Sequence, residues 1–366
     1  MEFSKNKKRL LDSIIRKPLD RIPRMYRALP GVSDRLLSYF SLDKDINKSW
    51  KELIAKLNVE AFSSGGGMGK FTVYKPPYNG DGEYNKSDSN MFYVWGIDSY
   101  IDRGSDSISY IENAEAAKTV SIEDFKKIKK PSLDEFDFDS MVPDQALRED
   151  HMLGAGMLNS IFMIAMYLRG ANNLMVELLT DKKLAHYYID MIGEFSYLLN
   201  KSILDRIGNK IDYYRQWDDM AMQSGMMIPR ETFREFFYPW YKKLFGEAKK
   251  HKLITFFHIC GNANEIIPDL IELGVDVLDP IQTSAVDMDL KHLKKEYGKD
   301  VSFHGGIDVQ GFLQNASPLQ IRKYTEEIEE RFLDSGGLIL GPSHEITPDT
   351  STENIIALYR PDLLDT

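Results

Sequence analysis

The sole cysteine of this 366-residue chain, Cys260, stands two residues after His258, directly past the apolar run Leu253-Ile254-Thr255-Phe256-Phe257. On a strand, residues two apart point to the same side, so imidazole and thiol face one space. A nitrogen and a thiolate so placed suit one metal ion, and zinc is the natural candidate because it takes both donor types together. The same spacing also fits a buried thiol beside a hydrogen-bonded core histidine. Two donors do not complete a zinc site, so the choice depends on what else the fold brings to this point.

From about residue 210 a unit recurs five times: a short apolar strand, a turn, and a helix with apolar residues three and four apart. The strands are expected at Tyr213 to Trp217, Ile254 to Phe257, Val275 to Leu278, Val301 to Phe303 and Leu338 to Leu340. The helix from about Arg230 carries Phe233, Phe236, Phe237 and Leu244, with a kink expected at Pro239. The others are capped near Asn264, run through Leu290, Leu293 and Tyr297, open at Ser317-Pro318, and begin with a capping box in Thr350-Ser351-Thr352-Glu353. Strands alternating with helices make a parallel sheet. Three weaker strands upstream, at Ile22 to Tyr26, Val59 to Phe62 and roughly Leu153 to Leu158, bring the total to eight. The fold class is therefore α/β, a (β/α)8 TIM barrel forming one domain over residues 1–366. Such a barrel takes about 250 residues. Much of the surplus falls in an N-terminal insertion at about 63–143, with its glycine-rich Ser64 to Gly69, Pro76 to Gly80, a hairpin including Met91 to Trp95 and an acidic loop 134–139. This insertion is expected to cover the barrel mouth.

The active site of such a barrel lies at the carboxyl ends of its strands. The residues expected there are Asp218 and Asp219, His258 and Cys260, Asp279 and Gln282, His304 and Asp308, then Ser343, His344 and Glu345. Three of the chain's seven histidines join its only cysteine. A catalytic zinc keeps three protein ligands and one open position, and His344 is the third candidate, because the loop after the last strand can reach across the mouth. It fits equally well as a hydrogen-bonded loop residue. His304 reads as a packed barrel residue. Asp219 and Glu345 are candidate general acids, although the Asp218-Asp219 pair could instead be a hydrogen-bonded strand terminus. Asp218, Gln223 and Asp308 are expected on the substrate side, with Arg24 and Arg27 available for carboxylates.

Composition narrows the partners. With 46 Lys and Arg against 56 Asp and Glu the formal charge is -10, which disfavours nucleic acid or an anionic membrane, since both demand clustered cations. The first residues show no apolar signal core and no run approaches transmembrane length; the expectation is a cytoplasmic protein. A single Cys excludes an intrachain disulfide framework.

Several stretches together resemble the uroporphyrinogen decarboxylase-like family: His258-Ile-Cys-Gly-Asn262, Ile267 through Pro280, Gly305-Gly-Ile-Asp308 and Leu340 through Asp349, with Trp217 through Gln223 and Phe233 through Pro239 upstream. The likeness runs from about residue 150 to the end. It implies an eight-stranded barrel and one of two chemistries, cofactor-free decarboxylation of a porphyrin precursor or zinc-dependent methyl transfer with corrinoid proteins. The methyltransferase branch uses a His-x-Cys pair and a later cysteine on zinc; His258 and Cys260 match the pair, and His344 stands where the later cysteine is expected. The decarboxylases carry an arginine-rich amino-terminal signature, of which Arg21, Arg24 and Arg27 are a faint echo. The expected function is thus a zinc-dependent methyltransferase exchanging a methyl group between a thiol, amine or methoxy compound and the cobalt of a corrinoid protein (methylcobalamin), with O-demethylation among the candidate reactions. The alternative is a cofactor-free decarboxylase of a polycarboxylate, and a non-catalytic docking role is a third. A homodimer is compatible with either enzyme.

Overall fold

A computed structural model describes residues 3–63, 94–102, 107–111, 114–128, 130–136, 138–141, 143–156 and 160–364. Eight parallel strands form the barrel: β1 (Met25–Arg27), β2 (Ala61–Ser63), β3 (Gly154–Gly156), β4 (Tyr213–Trp217), β5 (Ile254–His258), β6 (Val277–Ile281), β7 (Ser302–Ile307) and β8 (Leu338–Pro342). Strands β3 to β8 make one sheet in chain order, β1 pairs with β2, and the bridges Arg24 to Leu340 and Ala28 to Ile346 join β1 to β8. Among the described residues no ladder joins β2 to β3, and the insertion enters at that seam, leaving from the carboxyl end of β2.

Alternation along the strands divides the core in two. On β4, Tyr214 and Gln216 are buried toward the helices while Tyr213, Arg215 and Trp217 turn inward. The lower half of the interior is apolar, with Phe256, Val277, Ile339, Ala61 and Met152 packed on Leu10 and Ile14 of the helix Lys5–Ile14. That helix closes the floor. Ser13 Oγ donates to Leu338 O at 2.6 Å and Ser302 Oγ to Ile14 O at 2.8 Å, which fixes it beneath β7 and β8. Water is thereby kept from the floor, and the polar inward residues lie in the upper half.

Several local expectations shift. The kink expected at Pro239 is a wider, π-helical turn over Phe233–Phe237, immediately before the helix Tyr238–Lys250; a proline lacks the N–H that a regular turn would need there. The last helix, Thr352–Tyr359, is capped by Ser351 through Asn354 N–H rather than by Thr350. The hairpin is Asp98–Asp102 with Ser107–Ile111, and Val94 and Trp95 lie in a helical turn ahead of it. Residues 64–93, with both glycine-rich stretches, and Met157 and Leu158 lie outside the described residues. Described parts of the insertion pack on the helical layer: Trp95 and Phe136 meet Phe195 of the helix Lys182–Ile207 with ring centroids 5.5 and 6.0 Å apart, and Arg169 donates to the carbonyls of Ala116, Ala117 and Thr119. Among the described residues no helix is long and apolar enough to cross a membrane.

Candidate metal centre

Strand β5 ends on His258, and Cys260 follows as the chain leaves the barrel. Cys260 Sγ lies 3.6 Å from His258 Nε2, and Asp219 Oδ1 lies 3.9 Å from the same nitrogen. The three donor atoms fall within 4.8 Å of one another. With zinc–sulfur and zinc–nitrogen bonds of about 2.3 and 2.0 Å, a tetrahedral S···N edge is about 3.5 Å. The spacing fits such an ion. Asp219 is further fixed by accepting the Cys260 N–H at 3.1 Å, and its side chain is 34% exposed, so the group opens toward solvent.

The electrostatics suit a cation. Burial holds the His258 imidazole below its ordinary value, Arg215 adding to the effect, so the ring is neutral at neutral pH and can offer one nitrogen to a metal. Burial pushes the Cys260 thiol well up, the Asp219 carboxylate adds to this, and Arg27 opposes it. Without a divalent ion the thiol keeps its proton; with one it would ligate as thiolate. Behind the ring, His258 Nδ1 lies 3.2 Å from Asp279 Oδ2 and 2.7 Å from Arg215 Nη2. A carboxylate only accepts and a guanidinium only donates, so the two select opposite tautomers. A metal on Nε2 would select the tautomer with the proton on Nδ1, for which Asp279 is the acceptor.

Other expected residues fall elsewhere. Asp218 is fully buried and accepts hydrogen bonds from Ser160 Oγ, Tyr241 Oη and the N–H groups of Ile161, Phe162 and Met163, capping the helix Phe162–Arg169. Burial pushes its carboxyl up to about 6 against those hydrogen bonds. It anchors a helix and is not turned to substrate. Asp308 is likewise consumed, accepting from the N–H groups of Gln310, Gly311 and Phe312. Arg24 turns outward to Glu329 and the carbonyls of Leu358 and Tyr359. Gln223 remains at the surface, donating to Gln310 Oε1 at 2.9 Å.

His344 is 55% exposed and does not join the three-donor group; its Nδ1 lies 2.6 Å from Glu345 Oε2. Glu345 in turn accepts from Arg27 Nε at 2.8 Å. Burial alone would raise the Glu345 carboxyl, but His344 and Arg27 together hold it far below the usual carboxylate range. It stays ionised and has no proton to give at neutral pH. The row His344, Glu345, Arg27 stands beside the donors and ends where Arg27 reaches the Cys260 thiol electrostatically.

A family model described as uroporphyrinogen decarboxylase (URO-D) matches residues 115–360, well over half of the sequence. The chain belongs to the uroporphyrinogen decarboxylase family. The methylated-thiol–coenzyme M methyltransferase of Methanosarcina mazei is 28% identical over 204 residues, 56% of this chain and 51% of that protein, so the chain spans about half the length of the curated relative it matches. A solved structure of a methyltransferase from Methanosarcina mazei is similar with a TM-score of 0.62 at 18% identity, covering 99% of this chain and 100% of that one. That second likeness is one of fold.

Asp279 and Gln282, which the sequence placed at strand ends without a role, acquire one here, and Arg215 and Tyr167, which it did not mark, join them. Asp279 lies between Arg215, which donates from Nε at 2.6 Å, and the two imidazoles of His258 and His304. Burial would raise its carboxyl, but Arg215 and His304 hold it well below the ordinary value. Gln282 Oε1 accepts the Gly261 N–H at 2.9 Å, and its amide donates to Gln310 at 3.1 Å, so an amide chain steadies the loop after Cys260. Tyr167 is raised by burial and by the charge of Asp219. Arg215 carried one usable signal, inward alternation on a barrel strand.

Proposed function

We propose that this protein is a zinc-dependent methyltransferase that moves a methyl group between a small thiol and the cobalt of a separate corrinoid protein. The observation that carries the reading is the convergence of Cys260 Sγ, His258 Nε2 and an Asp219 carboxylate oxygen within 4.8 Å on an open face. These three residues would hold the ion, with Asp219 taking the part the sequence suggested for His344. When bound, zinc supplies Lewis acidity that lets a substrate thiol stay deprotonated at neutral pH. The chain does the rest. Asp279 orients His258, Asp219 steadies Cys260 through its amide, and Gln282 fixes the turn at Gly261. The likeness to a methylated-thiol–coenzyme M methyltransferase supports a thiol over an amine or ether.

The decarboxylase alternative asks for cations to bind several carboxylates. Arg21 is paired with Glu60 and Arg24 with Glu329, so of the three amino-terminal arginines only Arg27 reaches the site, and Glu345 neutralises it. Elemental analysis of purified protein, followed by the visible spectrum of methylcobalamin mixed with enzyme and thiols, tests the proposal. About one zinc lost in Cys260→Ala, with demethylation of cobalt in the wild type, is expected. Carbon dioxide release from a porphyrinogen by metal-free enzyme, with no cobalamin response, would replace it.

A further inference from the structure

A second group of donors lies on the helical layer and shares no residue with the centre above. Asp205 comes from the helix Lys182–Ile207, Glu247 from the helix Tyr238–Lys250, and His251 follows that helix directly. His251 Nε2 is 3.8 Å from Asp205 Oδ1 and 3.9 Å from Glu247 Oε1, and the three donor atoms lie within 4.8 Å of one another. Those separations are too long for hydrogen bonds. They lie within a few tenths of an ångström of the edge between two donors on one ion, about 3.3–3.6 Å for metal–donor bonds of about 2.0–2.2 Å.

Each carboxylate is held from outside by its other oxygen. Lys201 Nζ lies 2.5 Å from Asp205 Oδ2, while Lys250 Nζ at 2.7 Å and Tyr197 Oη at 3.2 Å bind Glu247 Oε2. Oδ1 and Oε1 are left facing the imidazole. Glu247 is only 5% exposed, and its Oε1 accepts no hydrogen bond among the described residues, which leaves that oxygen available to a cation in front of it. The imidazole has a seat of its own. A Cβ at Gly208 would stand 2.6 Å from His251 Nδ1. The φ of Gly208 is -56°, which any residue adopts, so what glycine contributes there is the absence of a side chain under the ring.

We propose that Asp205, Glu247 and His251 form a second metal site, for a divalent transition ion of the zinc class, which ties the helix Lys182–Ile207 to the helix Tyr238–Lys250. One imidazole with two carboxylates favours zinc, cobalt or nickel over calcium and magnesium, which prefer oxygen alone. Water completes the shell, since Asp205 stands at the surface.

The test titrates chelator-treated, full-length protein with zinc sulfate and counts bound metal by equilibrium dialysis. About two ions are expected in the wild type, about one in His251→Ala and in Asp205→Asn, and about one in Cys260→Ala. Gly208→Ala, which leaves every ligand in place but fills the seat of the ring, is expected to weaken the second ion about tenfold or more. Cobalt reports the two separately, because only the Cys260 centre gives a thiolate charge-transfer band. Wild-type stoichiometry in His251→Ala and Asp205→Asn, both folded by circular dichroism, overturns the proposal, as does binding only at millimolar zinc. If Cys260→Ala instead keeps the wild-type count while His251→Ala loses one ion, the first centre fails and the second stands.

Discussion

Asp279→Asn keeps the volume of the side chain and removes the charge that turns His258. Oδ2 of Asp279 lies 3.2 Å from His258 Nδ1 and 2.6 Å from Arg215 Nε, and Oδ1 bonds to His304 Nδ1. Loss of the partner behind a metal-binding imidazole weakens metal about 10–100-fold, or about 1.4–2.7 kcal/mol at about 1.36 kcal/mol per decade. Arg215 Nη2 remains 2.7 Å from Nδ1 and then favours the tautomer whose proton sits on Nε2, facing Cys260 instead of a metal. Both changes act in one direction, so the expected loss of zinc affinity lies near the upper end, about 100-fold. Stability falls too, because the buried ion pair between Asp279 and Arg215 is lost; breaking a buried pair costs up to about 3–5 kcal/mol. Competition with a chromophoric chelator measures the first quantity and urea unfolding of metal-free protein the second. Arg215→Met combined with Asp279→Asn removes both charges, and is expected to recover much of the stability but little of the affinity. Zinc affinity within threefold of wild type in Asp279→Asn would refute the orienting role.

Three further outcomes are expected. Because burial and Asp219 hold the Cys260 thiol well above neutrality, zinc must displace about one proton, and affinity should rise about tenfold per pH unit between about pH 6 and 8; a pH-independent affinity in calorimetry across buffers would contradict this. Burial lowers the His258 imidazole, so any contribution of its own is confined to the acid end of that range. Asp218→Ala strands four buried donors, since Met163 N–H keeps Ser160 Oγ, at about 1–3 kcal/mol each before water and repacking recover part, so urea unfolding should show a loss of about 4 kcal/mol or more, and a loss below about 1 kcal/mol would remove the anchoring role. His344→Ala should keep zinc affinity within a few-fold while Asp219→Ala loses at least tenfold; the reverse order by chelator competition would return the third position to His344.

All eight barrel strands were legible as apolar runs between turn residues, but their carboxyl ends were not, and the site depends on those ends. The run at Val301 to Phe303 stops in sequence at His304-Gly305-Gly306, a combination that reads as a turn. In the barrel it continues to Ile307, because Gly305, at a φ of +110°, lies against β6, where a Cβ would come 2.9 Å from Ile281 N. Strand β6 likewise extends through Asp279 to Ile281. Those extra residues move His304 and Asp279 from the expected rim into the interior, where they meet Arg215 and His258. His258 with Cys260 was legible because a period of two needs no knowledge of the fold. Asp219 as a third donor was not, since spacing alone cannot tell it from Asp218: one turns out to solvent and the other inward to cap a helix. The reach of the β8 loop also escaped the sequence, because Arg27 captures Glu345, and with it His344, short of the donors.

The same ion pairs bear on which reaction the site can serve. Cleaving a methyl ether needs a proton for the departing oxygen. Of the two acids the sequence offered, Asp219 is engaged with the Cys260 amide in the donor group, and Glu345 is held ionised by Arg27 and His344. Glu345 therefore has no proton to give at neutral pH, and Asp219 is already committed to the donor group. Methylation of a thiol needs none, only a site that keeps the sulfur deprotonated. A divalent ion held by one thiolate, one carboxylate and a neutral imidazole carries no net charge, so a thiolate arriving at the open position adds the only uncompensated negative charge. Arg27 lies close enough to act on Cys260, and its pairing with Glu345 lets it offset that charge only in part. The geometry therefore supports a thiol at this centre more strongly than it supports an ether, on electrostatic grounds that do not depend on the relative's name.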